Sequence, residues 1–260
     1  MNRDNPVFWI ILVRTSQASL FALALHVLTG WSFIGSHAMG LFMTPALCLY
    51  FVFVFVAPWS WGLPILNCLT TVEKVAVLTF DDGPSETTVA VLDCLNEHKT
   101  LATFFVLGEA VERYPELIRR MHAEGHTVGI HAWHHTAFVG LGSRRIAEEV
   151  NRTQAAIHRV CPEAPPARWL RPPHGFKSLR TLWFAQAHGL RLAAWSCDSR
   201  DYRDTDPESI ARRVTHKLRP GAILLLHDGP TNSATVDALP LILSGLQKQQ
   251  FSCVPLERVF

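Results

Sequence analysis

From Thr15 to Val72 the chain has no Asp, Glu, Lys or Arg, and a globular surface does not leave so long a stretch uncharged. Its six cysteines include no C-x-x-C pair, so neither a zinc-thiolate site nor a dense disulfide framework is indicated. Cys94, Cys197 and Cys253 lie among apolar neighbours and read as buried small hydrophobes, which leans toward a reducing compartment. After the uncharged run there is no block of Lys and Arg, and the whole chain carries a net charge of only +2. Neutralising a phosphate backbone takes clustered cations, so no nucleic-acid partner is expected.

The uncharged run instead holds two apolar segments, Ser19–Ile34 and Leu41–Ala57, followed by Trp59 and Trp61. They read as two transmembrane helices with an aromatic anchor at the interface, a membrane anchor over residues 1–72 ahead of a catalytic domain over 73–260. A cleaved signal peptide needs one short apolar core, and here a second, longer one follows. The expected location is therefore a membrane, the inner membrane of a bacterium, with membrane lipid as a partner. Arg3 and Arg14 place the N-terminus on the cytoplasmic side, so two spans would return the catalytic part there and one span would put it outside.

Beyond Val75 strand-like and helix-like pieces alternate. Seven strands are expected, at 75–80, 102–107, 127–130, 168–171, 192–196, 222–226 and 251–254, with helices between them and Ser143 capping the helix whose apolar positions are Ile146, Val150 and Ile157. This alternation implies parallel strands with helices outside, and such folds place their sites at the C-terminal strand ends. Polar residues follow those ends: Asp81 and Asp82, then His131, His134 and His135, Arg171, Asp198 and Asp201, and finally His227 and Asp228.

Two adjacent carboxylates repel one another unless a cation holds them. A divalent metal on one would leave the other free as a base. An Asp-Asp-Gly-Pro turn with solvated carboxylates is the plain alternative. Histidines at i and i+4, as His131 and His135 stand, share one face of a helical turn and with one carboxylate make an open metal site; a polar loop is the alternative.

The segments Thr79-Phe80-Asp81-Asp82-Gly83-Pro84, His131-x-x-x-His135, Arg171-Pro172-Pro173-His174-Gly175, Asp198-Ser199-Arg200-Asp201-Tyr202 and Leu225-Leu226-His227 resemble, in order and spacing, the five motifs of the polysaccharide deacetylases, also called the NodB-homology family or carbohydrate esterase family four. The resemblance covers about Lys74 to Phe260. It implies a distorted (β/α)7-type barrel and metal-dependent hydrolysis of an N-acyl, chiefly N-acetyl, group on an amino sugar of an envelope polysaccharide or lipid-linked glycan. It further implies Asp82, His131 and His135 as ligands of one divalent metal, Zn2+ first, with Co2+, Ni2+ or Mn2+ as alternatives. Asp81 would be the base, held by Arg171, and His227 the acid, oriented by Asp201. His174 would lend a backbone N–H to the oxyanion, while Tyr202 and Leu225 would line the acyl pocket. Ala132, His134, His174 and Tyr202 depart from the family's usual residues, and all surround that pocket. The loop with a membrane anchor is also similar to deformylases of polyprenyl-phosphate-linked amino sugars. A non-catalytic carbohydrate-binding member is the alternative from another class, and loss of metal binding would favour it.

Overall fold

The computed structural model describes residues 65–176 and 178–259, together with Pro45 and residues 47–49. The two predicted transmembrane helices, those four residues apart, lie outside it. Among the described residues no helix is long and apolar enough to cross a membrane. The chain divides into two units, Met1–Trp61 and Gly62–Phe260, and the second carries the fold.

In chain order its elements are β1 (Ile65–Leu66), β2 (Val75–Asp81), α1 (Glu86–Glu97), β3 (Thr103–Leu107), α2 (Gly108–Arg113), α3 (Pro115–Ala123), β4 (Thr127–Ala132), α4 (Ser143–Val160), β5 (Trp169–Leu170), α5 (Leu179–Ala187), β6 (Arg191–Ala193), β7 (Cys197–Asp198), α6 (Pro207–Lys217), β8 (Ala222–His227), α7 (Ser233–Lys248) and β9 (Ser252–Cys253). The strands form one sheet in the order β1-β6-β5-β4-β3-β2-β8-β7, with β9 on the start of β2. Every strand pair in it is parallel. All the strands therefore end on one side, and their connecting helices are left to cover the outside.

Helix starts follow local chemistry. Ser85 caps α1 in a capping box with Thr88, Ser178 caps α5, and Asp206 caps α6 ahead of Pro207. The predicted Ser143 cap is displaced. Gly142 holds the cap position without a side-chain bond, and Ser143 is the first helical residue of α4. Helix α2, which starts directly after β3, has no counterpart among the expected elements.

Among the described residues the sheet has nine strands rather than the expected seven: Ile65–Leu66 adds β1, and Cys197–Asp198, just beyond the predicted strand 192–196, forms a separate β7. The predicted strand holds only to Ala193, as β6 on β5, whereas Ser196 N–H donates to the Ile223 carbonyl at 3.0 Å and the chain continues as β7 on β8. The strand run breaks there, and the result is a parallel half-barrel rather than a closed one. The segment from Ile65 spans the gap at the N-terminal strand ends, ahead of the anticipated domain start at Glu73. Ile65 pairs with Leu192 of β6, and Cys68 bridges Ala222 of β8.

Side chains alternate along β2 and β8, so Val77, Thr79 and Asp81 share one face, as do Ile223, Leu225 and His227. Val77 and Ile223 pack on that inner face with Leu69, Phe105, Trp169, Ala193 and Leu256. The apolar floor of the half-barrel thus lies under a polar top layer.

Closure at the floor depends on Gly221, at φ +77°. A Cβ there would lie 2.2 Å from the Leu69 carbonyl oxygen, while Leu69 N–H donates to Gly221 at 2.8 Å. Substituting Gly221→Ala is expected to destabilise the protein by more than ~1 kcal/mol, read as a lower urea midpoint at unchanged slope.

Candidate active site

Register brings the chemistry together. Asp81, last in β2, pairs with His227, last in β8. His131 lies in β4, and Arg171 directly follows β5. Beyond β7 the chain turns through Arg200, at φ 63°, and delivers Asp201 under His227.

Arg171 is wholly buried. Its Nη1 donates to Asp81 Oδ1 and to Thr79 Oγ1, each at 2.7 Å, and its Nη2 donates to the Ala194 carbonyl at 2.9 Å. The guanidinium also lies 4.1 Å from the centre of the Phe105 ring. Burial pushes the Arg171 pKa down, against the opposing charge of Asp81. Asp81 thereby has one oxygen tied, and the other, Oδ2, lies 4.0 Å from His131 Nε2.

Asp82 takes a left-handed backbone, φ 73°, which Asp tolerates better than most residues. Its Oδ1 is buried and hydrogen-bonds to nothing in the protein, yet lies 3.4 Å from His131 Nε2 and 3.3 Å from His135 Nε2. His131 Nδ1 sits 2.7 Å from the Arg171 carbonyl, which can only accept. Nδ1 therefore carries a proton, and Nε2 is the ring atom turned toward Asp82. Burial, which outweighs the pull of Asp82, lowers the His135 pKa to about 4. Burial works against the Asp82 anion, but His131 beside it, then His135 and His227, hold its carboxyl well below the usual range. One ligand atom from each of the three lies within 4.8 Å of the others. An orphaned carboxylate oxygen facing two imidazole Nε2 atoms is the donor set of a three-ligand metal site with open positions, so these residues fit a divalent cation.

The expected helical turn for His131 and His135 is not what joins them. His131 belongs to β4 and His135 to the bend beyond it, so the strand end and the loop, rather than i, i+4 spacing, bring their rings to 5.3 Å.

His227 Nδ1 lies 2.7 Å from Asp201 Oδ1, and its backbone N–H donates to Asp201 Oδ2 at 2.7 Å. Thr235 holds that same Oδ2 from α7, also at 2.7 Å. Burial alone would lower the His227 pKa, but the Asp201 hydrogen bond and charge, with Asp81 and Asp82, raise it to about 9. At neutral pH His227 is an imidazolium whose Nδ1 is occupied and whose Nε2–H is left to donate.

The remaining predicted residues ring this centre. His174, at φ 59°, sets its ring 4.2 Å from that of His135. Tyr202 is half exposed, its ring edge-on to His227 at 5.4 Å. Leu225 is buried one step below His227 on the inner face, opposite Thr79.

Residues the sequence reading did not assign complete the site. Asp228 is fully buried, takes a 2.6 Å hydrogen bond from Thr88, and is raised by burial to about 7. Glu149 on α4 accepts from the backbone N–H of Trp133 at 3.0 Å and of His134 at 2.8 Å. Its signal was present: a carboxylate on the same helical stripe as Ile146, Val150 and Ile157 has to be paired.

A carboxylate with a free oxygen and an imidazolium on neighbouring strands can accept one proton and return another, the equipment of a hydrolase working by general acid–base chemistry. A sequence model described as polysaccharide deacetylase matches residues 69–193. The chain is 38% identical over 195 residues to a chitooligosaccharide deacetylase of Bradyrhizobium sp. (strain ANU 289), spanning 70% of this chain and 89% of that protein. It is 32% identical over 186 residues to a peptidoglycan-N-acetylglucosamine deacetylase of Bacillus cereus, spanning 70% and 67%. The crystal structure of the Bc1960 peptidoglycan N-acetylglucosamine deacetylase is similar at a TM-score of 0.74 and 29% identity, over 78% of this chain and 97% of that one. The chain belongs to the polysaccharide deacetylase family and is a hydrolytic carbohydrate N-deacetylase.

The raised pKa of His227 links its proton to folding. The stabilisation it contributes is complete below the unfolded value of 6.5 and is lost as pH rises through about 9. In Asp201→Asn the largest opposing contribution to burial is gone. An NMR titration of the metal-free variant should find His227 well below about 9, and the loss of stability between pH 6.5 and 9 should flatten.

Proposed function

We propose that this chain is a metal-dependent deacetylase of an N-acetylglucosamine-containing glycan, with Asp82, His131 and His135 as ligands, Asp81 as base and His227 as acid. The observation that carries the reading is the orphaned Asp82 Oδ1 between two imidazole Nε2 atoms, beside the free oxygen of an arginine-held Asp81. The chitooligosaccharide and peptidoglycan deacetylases among its relatives support the substrate class.

A divalent cation there, Zn2+ first on its donor set of two imidazoles and a carboxylate, supplies Lewis-acid polarisation of the acyl carbonyl and of the attacking water. Asp81 Oδ2 accepts the proton of that water, while Arg171 on Oδ1 keeps the carboxylate aimed. The backbone N–H of His174 assists the developing oxyanion. His227 donates its Nε2 proton to the departing sugar amine, with Asp201 holding the ring in the donating tautomer. Tyr202 and Leu225 bound the space for a small acyl group.

The run without charged side chains from Thr15 to Val72 favours a more particular form of this reading, an enzyme held at a membrane and acting on a lipid-linked or envelope glycan. Confinement to the membrane plane raises the effective concentration of such a substrate.

The test is acyl release from chitooligosaccharide, peptidoglycan and polyprenyl-linked N-acylamino sugar by the zinc-loaded protein. Asp81→Asn should lower kcat by ~10²–10⁴-fold, chelation should abolish release, and kcat should fall on the alkaline side as His227, its pKa raised above the ordinary value by Asp201, loses its proton. Release that survives chelation would sink the metal reading. Preference among the three substrates separates the polymer form from the lipid-linked form, and formate in place of acetate would mark a deformylase.

A further inference from the structure

We propose that Glu149 is a positioning residue for the cation site: its buried carboxylate clamps the loop that carries His135. The inference rests on the metal reading above. Of the two histidines, His131 is fixed within β4 and by its bond to the Arg171 carbonyl. His135 lies three residues beyond the strand end, with its side chain 36% exposed. Where its Nε2 sits depends on the path of Trp133 and His134.

That path is held from both sides. The amides of Trp133 and His134 converge on a single oxygen, Glu149 Oε2, at 3.0 and 2.8 Å. Two successive N–H groups aimed at one anion form a concave cradle, which confines the backbone dihedrals between them. Bonds to an ionised acceptor are about twice as strong as neutral ones. The other oxygen, Oε1, lies 3.3 Å from His134 Nδ1. The Trp133 ring, 3% exposed, is packed so closely against α2 that a Cβ on Gly108 would come within 2.3 Å of it, and the Arg152 guanidinium lies 3.6 Å from its centre. The Trp133 carbonyl accepts from the Glu109 N–H at 3.3 Å. With Trp133 wedged and its amide and the next one clamped, the chain has one direction in which to deliver His135 to Asp82.

Ile146, Val150 and Ile157 on the same stripe of α4 stabilise the packing as apolar residues. A carboxylate there carries a desolvation cost, which its bonds to the loop offset.

The experiment measures Zn2+ affinity by competition with a chromogenic chelator, together with Tm of the metal-free protein. The set is wild type, Glu149→Ala, Glu149→Gln and, as a control buried on the same helix without contact to the loop amides, Ile157→Ala. Glu149→Ala should weaken Zn2+ binding by ~10–100-fold, the effect of losing a residue that orients a ligand. Glu149→Gln keeps an oxygen able to accept from both amides and should recover most of that loss. Ile157→Ala should lower Tm while leaving the affinity unchanged. Wild-type affinity in Glu149→Ala, or an equal loss in Ile157→Ala, overturns the inference and leaves the metal reading intact. Failure of the wild type to bind Zn2+ overturns both, and is read before any variant is compared.

Discussion

The buried ion pair between Arg171 and Asp81 is the constraint on which the rest of the site depends. Enclosing a guanidinium in the half-barrel costs several kcal/mol of hydration, and the surroundings offset it with Asp81, Thr79, the Ala194 carbonyl and the face of Phe105. A hydrophobic residue would fill that space at lower cost, so the pair is better understood through what it orients. Its side chain ties one oxygen of Asp81, and its own backbone carbonyl fixes the tautomer of His131. One residue beyond β5 therefore sets the direction of the Asp81 carboxylate and of the His131 ring.

Around that pair two histidines of the same chemistry are driven to opposite protonation states. His135 meets carboxylates only at ion-pair distance, burial prevails, and it stays neutral with a pKa of about 4. His227 is more deeply buried, yet Asp201 grips both its ring and its backbone N–H, and its pKa rises to about 9. A neutral imidazole suits a ligand and a charged one suits an acid. Only a few ångströms of carboxylate placement separate the two outcomes.

Much of this was legible beforehand, because it is periodic or local. The strand run leading to Asp81, the helices between the strands, and the habit of polar residues following strand ends all depend on neighbours within a few positions. The errors lie where distant contacts prevail. His131 and His135 suggested a helical turn by spacing, but parallel pairing with β3 keeps His131 in an extended strand. The run 192–196 looked continuous, yet its strand stops at Ala193 beside β5, and by Ser196 the chain has turned to β8, where Cys197 and Asp198 form the next strand. Glu149 and Thr235 gave no motif, since each acts on residues far away in the chain.

What the sequence by itself determined is the alternation of strand and helix, the order of the chemical groups and the strand ends at which they emerge, for those follow from hydrophobic period and turn chemistry. Only the tertiary structure decided which oxygen of Asp81 is free, which histidine is charged, and what holds the His135 loop. Those properties depend on burial and on partners at hydrogen-bond distance, and in a parallel half-barrel such partners come from strands and helices far apart in the chain.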